Sequence, residues 1–156
     1  ETWAKLETDF KDWEVNIFGE GFLKEQLQKQ IDSKKLKKIF LRGYSEEVAR
    51  DMADSSIFVF PSRYEGFGLV LLEAQAVGLP CISFDCKEGP SEIIEDGVNG
   101  FLVEPLNIDL LAEKMRILME DETLRKQFSK KSTKDLYRFE RKKIIDKWDR
   151  LLNEIL

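Results

Sequence analysis

The chain has 156 residues, a length that supports one hydrophobic core and not two. Its 42% hydrophobic and 35% charged residues, with mean hydropathy −0.37, exclude a disordered, collagen-like or disulfide-stapled chain. The 25 Lys+Arg against 30 Asp+Glu leave a net charge of −5 and an isoelectric point near 5.0, which argues against whole-chain attraction to nucleic acid or anionic lipid.

At the start of the chain, ETWAKLETDFKDW lacks the basic start, apolar middle and small-residue cleavage site of a signal peptide. It reads as the end of a helix entered partway, with Trp3 and Leu6 on one face and Phe10 one turn on, so the expectation is a chain that begins inside a longer protein. WEVNIF then reads as a strand, and FLKEQLQKQI follows with Phe22, Leu23, Leu27 and Ile31 at helical spacing. KIFLRG is a second strand. SEEVARDMADS carries Ser45 as an N-cap candidate and Val48, Ala49, Met52 and Ala53 as an inward stripe. SIFVF is an unbroken β-branched and aromatic run, the composition of a strand buried on both faces.

PSRYEGFG reads as a loop, LVLLEAQAVG as a helix ended by Gly78, and PCISF as the next strand. DCKEGP is a loop, SEIIED a short helix, GVNG a turn and FLV a last short strand. Three helical patterns with no strand between them close the chain: LLAEKMRILM, ETLRKQFSKKSTKDLY and RKKIIDKWDRLLNEIL. In the last, Ile144, Ile145, Trp148, Leu151, Leu152 and Ile155 form one apolar face, expected to pack on the sheet or on a partner domain. Strands separated by single helices cannot pair as hairpins and predict right-handed βαβ units. The fold class expected is α/β, a doubly wound parallel sheet with helices on both faces and extra C-terminal helices. No repeat or Pro/Gly-rich linker divides it, so residues 1–156 read as a single domain.

Two cysteines, Cys81 and Cys86, show neither CxxC nor metal-ligand spacing and fit a reducing compartment. The longest apolar run, Gly66 to Leu72, is stopped by Glu73, far short of the ~20 residues of a bilayer span, so no transmembrane segment is expected.

In an open parallel sheet, ligands bind outside the carboxyl ends of the strands, which directs attention to four loops. Gly19-Glu20-Gly21 resembles the start of a dinucleotide fingerprint, but Lys24 stands where the third glycine belongs, and the plain reading is a strand-to-helix turn. Arg42-Gly43-Tyr44 offers a side chain for a base or phosphate, or simply a solvated arginine and a packing aromatic. Lys87, in the fourth loop, reads mainly as a solvated lysine, as do the basic runs at Lys34–Lys38 and Arg141–Lys143. The third loop carries most. Gly66 and Gly68 precede a helix start at Leu69, where free N–H groups and the helix dipole form an anion site without a basic side chain. Glu65 and Glu73, with seven residues between them, flank it as acceptors suited to sugar hydroxyls. With acids at about one position in five, that spacing alone proves little, and the alternative is a turn residue and a surface helix residue.

The run PSRYEGFGLVLLEAQAVGLPCISFDCKEGPSEIIEDGVNGFLVEP, with SEEVARDMADSSIFVF and the GEG turn before it, resembles the Rossmann-like donor-binding half of retaining GT-B glycosyltransferases, the glycosyl transferases group 1 family. The resemblance covers about Trp13 to Leu118. It implies that Glu65 is the catalytic residue and contacts hydroxyls of the transferred sugar, together with Phe67 and Gly68, and that Glu73 binds the ribose. Amides around Gly66, Phe67, Gly68 and Leu69 would hold the donor phosphates, and Arg42, Gly43 and Tyr44 would lie at the base. It further implies transfer with retention, without a metal or other cofactor, in which the leaving diphosphate is stabilised electrostatically and itself takes the acceptor's proton. No DxD pair and no histidine occur in the chain.

The family's Arg and Lys that clamp the diphosphate belong to a first strand and its following loop, and these fall upstream of residue 1. The acceptor-binding half, which usually contributes a histidine, also lies outside the sequence. The domain is therefore expected to be truncated on its N-terminal side and to bind donor weakly in isolation. The implied partners are a nucleotide-sugar donor, UDP favoured, carrying a hexose or N-acetylhexosamine; an N-terminal acceptor-binding domain; and a glycan or lipid-linked acceptor, with no nucleic acid. The fourth loop resembles that of bacterial enzymes of capsule, O-antigen or lipid-linked glycan assembly. The implied location is the cytoplasm, at most peripheral to the inner face of the membrane. The alternative from another class is a non-catalytic Rossmann-like docking module; a glycoside hydrolase using Glu65 and Glu73 as acid and base leaves the phosphate site without a role.

Overall fold

A computed structural model describes residues 1–155. After a 3₁₀ turn at Trp3–Lys5 the elements run β1 (Val15–Phe18), α1 (Lys24–Ser33), β2 (Ile39–Gly43), α2 (Val48–Ala53), β3 (Phe58–Phe60), α3 (Leu69–Ala76), β4 (Cys81–Phe84), α4 (Pro90–Ile93) and β5 (Gly100–Val103). Helices α5 (Ile108–Glu120) and α6 (Glu122–Asp135), a 3₁₀ turn at Leu136–Phe139 and α7 (Arg141–Ile155) complete the chain. All five expected strands form, and every pairing is parallel. The α/β class expected from the alternation is what the chain adopts.

The strands form two ladders, β1–β2 and β3–β4–β5, and no ladder joins the two among the described residues. Side-chain packing joins them instead. Val15 and Ile39 of the first ladder and Ile57 and Val59 beside or within β3 pack against one core cluster built on Ile82, Phe84, Phe101 and Val103. Strand side chains alternate between faces. Cys81 therefore joins Phe58, Phe60 and Leu102 in a second cluster on the opposite face. The first cluster is covered by Leu111, Met115 and Leu118 of α5, Phe128 of α6, and Trp3 and Leu6. The second is covered by Met52, Leu71, Ala74 and Ile93 from α2, α3 and α4. Helices thus lie on both faces of the three-stranded ladder.

Several local expectations are corrected. The strand buried on both faces is β4, all four of whose residues are buried; β3 is half-buried, because it is an edge of its ladder. Of the apolar residues assigned to the first helix, only Ile31 is buried, and Phe22 is 96% exposed. In α2 only Met52 is buried, since a six-residue helix presents too short a stripe to cover more. Ser45 does not cap α2; it accepts the Glu47 N–H at 3.1 Å and donates to Asp51. The apolar stripe of α7 does not pack on the sheet: the helix has no buried residue. Cys81 and Cys86 are buried and free, and burial pushes the Cys81 thiol up to about 12.

Helix starts are closed by side chains where the sequence offers them. Asn107 accepts the Leu110 N–H at 2.9 Å and Asp121 accepts the Leu124 N–H at 2.8 Å, capping α5 and α6. The first residues are pinned differently. Glu7 Oε1 accepts Trp3 Nε1–H at 3.1 Å and the backbone N–H groups of Lys37 and Lys38 at 2.8 and 2.6 Å, tying the N-terminal segment to the start of β2.

Burial of the Glu7 carboxyl acts to raise its pKa, but the Lys38 and Lys37 amides and the Trp3 indole outweigh it and hold the group below its ordinary 4.5. A lowered carboxylate pKa contributes stability above the unfolded value and loses it as pH falls through the folded one. The stability gap between the native chain and Glu7→Gln should therefore be full at pH 7 and shrink as pH falls below 4.5, measured by urea unfolding across pH.

Candidate functional site

The third loop begins where β3 ends at Phe60 and closes at α3. Gly68, the residue before the helix, has φ +85° and ψ +50°, left-handed backbone that glycine adopts without strain. An added Cβ there would also meet Leu71 Cδ1 at 3.4 Å and Phe60 Cε1 at 3.6 Å. Unlike Asn107 and Asp121, Gly68 has no side chain with which to cap its helix, and no other cap replaces it. Its carbonyl accepts the Leu71 N–H at 2.9 Å, which leaves the amides of Leu69 and Val70 without an intrahelical acceptor. A first turn with open donors and the positive end of the macrodipole favours an anion.

Phe67 fixes the loop from within. Its ring meets Phe139 edge-on, with centroids 5.9 Å apart, and its backbone lies directly against Gly89 of the loop before α4. A Cβ at Gly89 would stand 2.3 Å from the Phe67 carbonyl oxygen, and Gly89 itself has φ +95°. Sequence reading missed both contacts. The GP pair at Gly89-Pro90 marks a turn, but nothing in it names Phe67 as the neighbour.

The flanking carboxylates differ in environment. Glu65 is partly buried and accepts Ser62 Oγ–H at 2.6 Å, which fixes one oxygen and leaves the other. Glu73 is exposed on α3, four residues after Leu69 and so about 6 Å along its axis at 1.5 Å per residue. Leu69 is 65% exposed and Tyr64 84% exposed at the same rim.

The second loop lies in the other ladder. Gly43 O accepts the Gly19 N–H at 2.6 Å, joining the ends of β2 and β1, and Glu20 Oε1 would lie 3.6 Å from a Cβ at Gly43. Tyr44 is 75% exposed beyond it. Arg42 is turned back along β1: its Nε–H donates to Asn16 Oδ1 at 2.6 Å, Glu14 lies at 3.6 Å, and its guanidinium sits 4.7 Å from the Phe40 ring centroid. No hydrogen bond links residues 42–44 to the Glu65–Glu73 segment among the described residues. Lys87 pairs with Glu88 at 3.6 Å in the open, as a solvated lysine does.

The model of the family described as "Glycosyl transferases group 1" matches residues 1–135. The chain belongs to that family. Over 140 residues this chain is 36% identical to the poly(ribitol-phosphate) alpha-N-acetylglucosaminyltransferase of Staphylococcus aureus, a match over 88% of this chain and 28% of that protein. Over 143 residues it is 32% identical to the poly(glycerol-phosphate) alpha-glucosyltransferase of Bacillus subtilis, over 91% of this chain and 21% of that one. The chain thus spans less than a third of either relative. Among solved structures, S. aureus TarM in complex with Fondaparinux, alpha-GlcNAc-glycerol and UDP superposes with TM-score 0.90 at 32% identity, covering 97% of this chain and 31% of TarM. The pneumococcal O-GlcNAc transferase GtfA in complex with UDP and GlcNAc superposes with TM-score 0.83 at 26% identity, covering 99% of this chain and 32% of GtfA. The chain shares the fold of the matching part of these GT-B glycosyltransferases, the Rossmann-like α/β architecture expected from the sequence.

The contact between Gly89 and Phe67 makes a direct prediction. Gly89→Ala combines backbone strain with a forced shift of the Phe67 peptide and should destabilise the chain by about 2–4 kcal/mol. Urea unfolding of the variant beside Gly97→Ala, where an added Cβ meets nothing within 4 Å but φ is +71°, separates the steric cost from the conformational one.

Proposed function

We propose that the chain is the donor-binding half of a retaining, metal-independent glycosyltransferase that moves a hexose or N-acetylhexosamine from a nucleotide diphosphate sugar, with UDP as the favoured nucleotide. The observation that carries this reading is the uncapped, glycine-led start of α3 with Glu65 on one side and Glu73 on the other. In it the amides of Gly66, Phe67, Gly68 and Leu69 receive the diphosphate. Glu65 accepts hydroxyls of the transferred sugar beside Phe67 and Gly68, and Glu73 accepts the ribose hydroxyls. Gly43 and Tyr44 receive the base, with Arg42 joining them by leaving Asn16 and Glu14. The two relatives solved with UDP support the choice of nucleotide.

In the reaction the bond from the sugar anomeric carbon to the diphosphate oxygen breaks, and the acceptor hydroxyl oxygen bonds that carbon on the same face. The acceptor's proton passes to the departing diphosphate oxygen. Charge develops on the diphosphate as it leaves, and fixed amide dipoles stabilise it without reorganising. That is why the loop's rigidity matters: Gly89 and Phe139 hold the Phe67 peptide before the donor arrives. The acceptor is a glycan or lipid-linked glycan, and the polyol-phosphate acceptors named for the two bacterial relatives favour a phosphate-bearing one.

The whole protein includes an N-terminal acceptor-binding domain and a preceding strand that supplies the basic clamp. The break between the two ladders, with Ile17 38% and Phe18 43% exposed on β1, supports a further strand laid beside β1. The full protein works in the cytoplasm, at most peripheral to the inner membrane face; no helix among the described residues is long and apolar enough to cross a membrane. The isolated chain binds donor weakly and transfers little.

A hydrogen bond to a charged acceptor contributes about 1.5–3 kcal/mol, so Glu73→Ala should weaken UDP binding by about tenfold to a hundredfold. Calorimetric titration with UDP and with GDP checks this, alongside an NMR titration. Amide shifts that avoid residues 65–73 at millimolar UDP, or a full-length Glu73→Ala enzyme with unchanged transfer, would sink the reading.

A further inference from the structure

The loop between β3 and α3 is anchored near both of its ends. Phe60, the last residue of β3, pairs with Ser83 in the ladder, and an added Cβ at Gly68 would meet the Phe60 ring at 3.6 Å. Phe67 is held by Gly89 and Phe139. Glu65 lies between these anchors and has no packing of that kind beside it: Gly66 is exposed, and a Cβ there would meet nothing within 4 Å. Nor does an ion pair hold the Glu65 carboxylate among the described residues, although Arg63 stands two positions away. The side chain that reaches it is Ser62, whose Oγ–H donates to Oε1 at 2.6 Å.

Ser62 has a second acceptor in range, Tyr64 O at 3.1 Å, but a hydroxyl carries one proton and serves one acceptor at a time. The nearer and charged acceptor takes it, and 2.6 Å falls in the range of a charge-assisted O–H···O⁻ bond. A neutral donor is suited to this task where an arginine is not. It fixes the direction of the carboxylate without cancelling its charge, so the second oxygen stays a strong acceptor. A glutamate left free to rotate would have to be ordered as its ligand arrives, and that ordering opposes binding. Glu73, exposed on α3, has no such partner: its side chain makes no hydrogen bond or ion pair among the described residues. We propose that Ser62 is the positioning residue for Glu65, aiming the free carboxylate oxygen at the hydroxyls of the transferred sugar. The word sugar rests on the donor reading of the Glu65–Glu73 segment. Ser62 then governs recognition of the sugar and leaves recognition of the nucleotide alone.

The test is an NMR titration of the chain labelled with carbon-13 at the glutamate carboxyl carbons, the Glu65 signal being assigned through Glu65→Gln. The ligands are UDP and, separately, UDP-glucose, UDP-galactose, UDP-N-acetylglucosamine and UDP-N-acetylgalactosamine. At least one of the four should move the Glu65 carboxyl signal beyond the effect of UDP. Ser62→Ala should weaken the affinity for that sugar nucleotide by about tenfold or more, the worth of a hydrogen bond to a charged group. The thermal midpoint, the UDP affinity and the UDP shifts at residues 66–73 should match those of the native chain. Ser62→Thr, which keeps the hydroxyl, should restore the sugar response. A Ser62→Ala chain that binds the sugar nucleotide as the native chain does, an equal loss for UDP and for the sugar nucleotide, or a Ser62→Thr chain no better than Ser62→Ala overturns this inference and leaves the donor reading standing. If UDP leaves residues 66–73 unmoved, or none of the four sugars moves Glu65 beyond UDP, the donor reading itself falls and takes this role of Ser62 with it.

Discussion

The Phe67 peptide is held between a glycine that has no room for a side chain and an aromatic ring that grips its own. Gly89 presses on the backbone and Phe139 meets the ring. That clasp joins the loop before α3, the loop before α4 and the 3₁₀ turn at Leu136–Phe139 at the carboxyl rim of the three-stranded ladder. It acts in a segment that Glu65 precedes and Glu73 follows in the chain. The core on either face of β4 supplies the platform, but a platform alone would not order a segment with glycines at 66 and 68.

The contrast among helix starts explains why one of them is suited to a ligand. Asn107 and Asp121 spend their side chains satisfying α5 and α6. Gly68, itself buried, leaves the first turn of α3 without a cap next to the exposed Leu69, and Glu65, three residues earlier, is a half-buried carboxylate hydrogen-bonded by Ser62. Open amides cost nothing while water reaches them, and become binding groups when an anion displaces that water. The same residues that make this start poor as a structural element are the ones on which the proposed diphosphate site rests.

Much of this was legible in the sequence because the signals are local. The strands show as short apolar runs and the last three helices as 3.6-residue periodicity, and all of them form. The Glu65–Glu73 block announced itself through its glycines and its position after a strand. What could not be read was whatever depends on a distant neighbour. Gly89 touches Phe67 across 22 positions of chain, and Phe139 reaches it from further still. Periodicity in α1 and α2 marked apolar positions without revealing that little packs over them, so Phe22 and Val48 lie in solvent. Arg42 stands at a strand end as expected, yet Asn16, opposite Phe40 in the ladder, draws it back along β1.

The division of the strands into two ladders has a mechanical consequence. Van der Waals surfaces can slide by fractions of an ångström where a hydrogen-bonded ladder cannot. No ladder hydrogen bond among the described residues fixes the spacing of β1–β2 from β3–β4–β5, so the separation of Tyr44 from the Glu65–Glu73 segment is set by side chains meeting in the shared core.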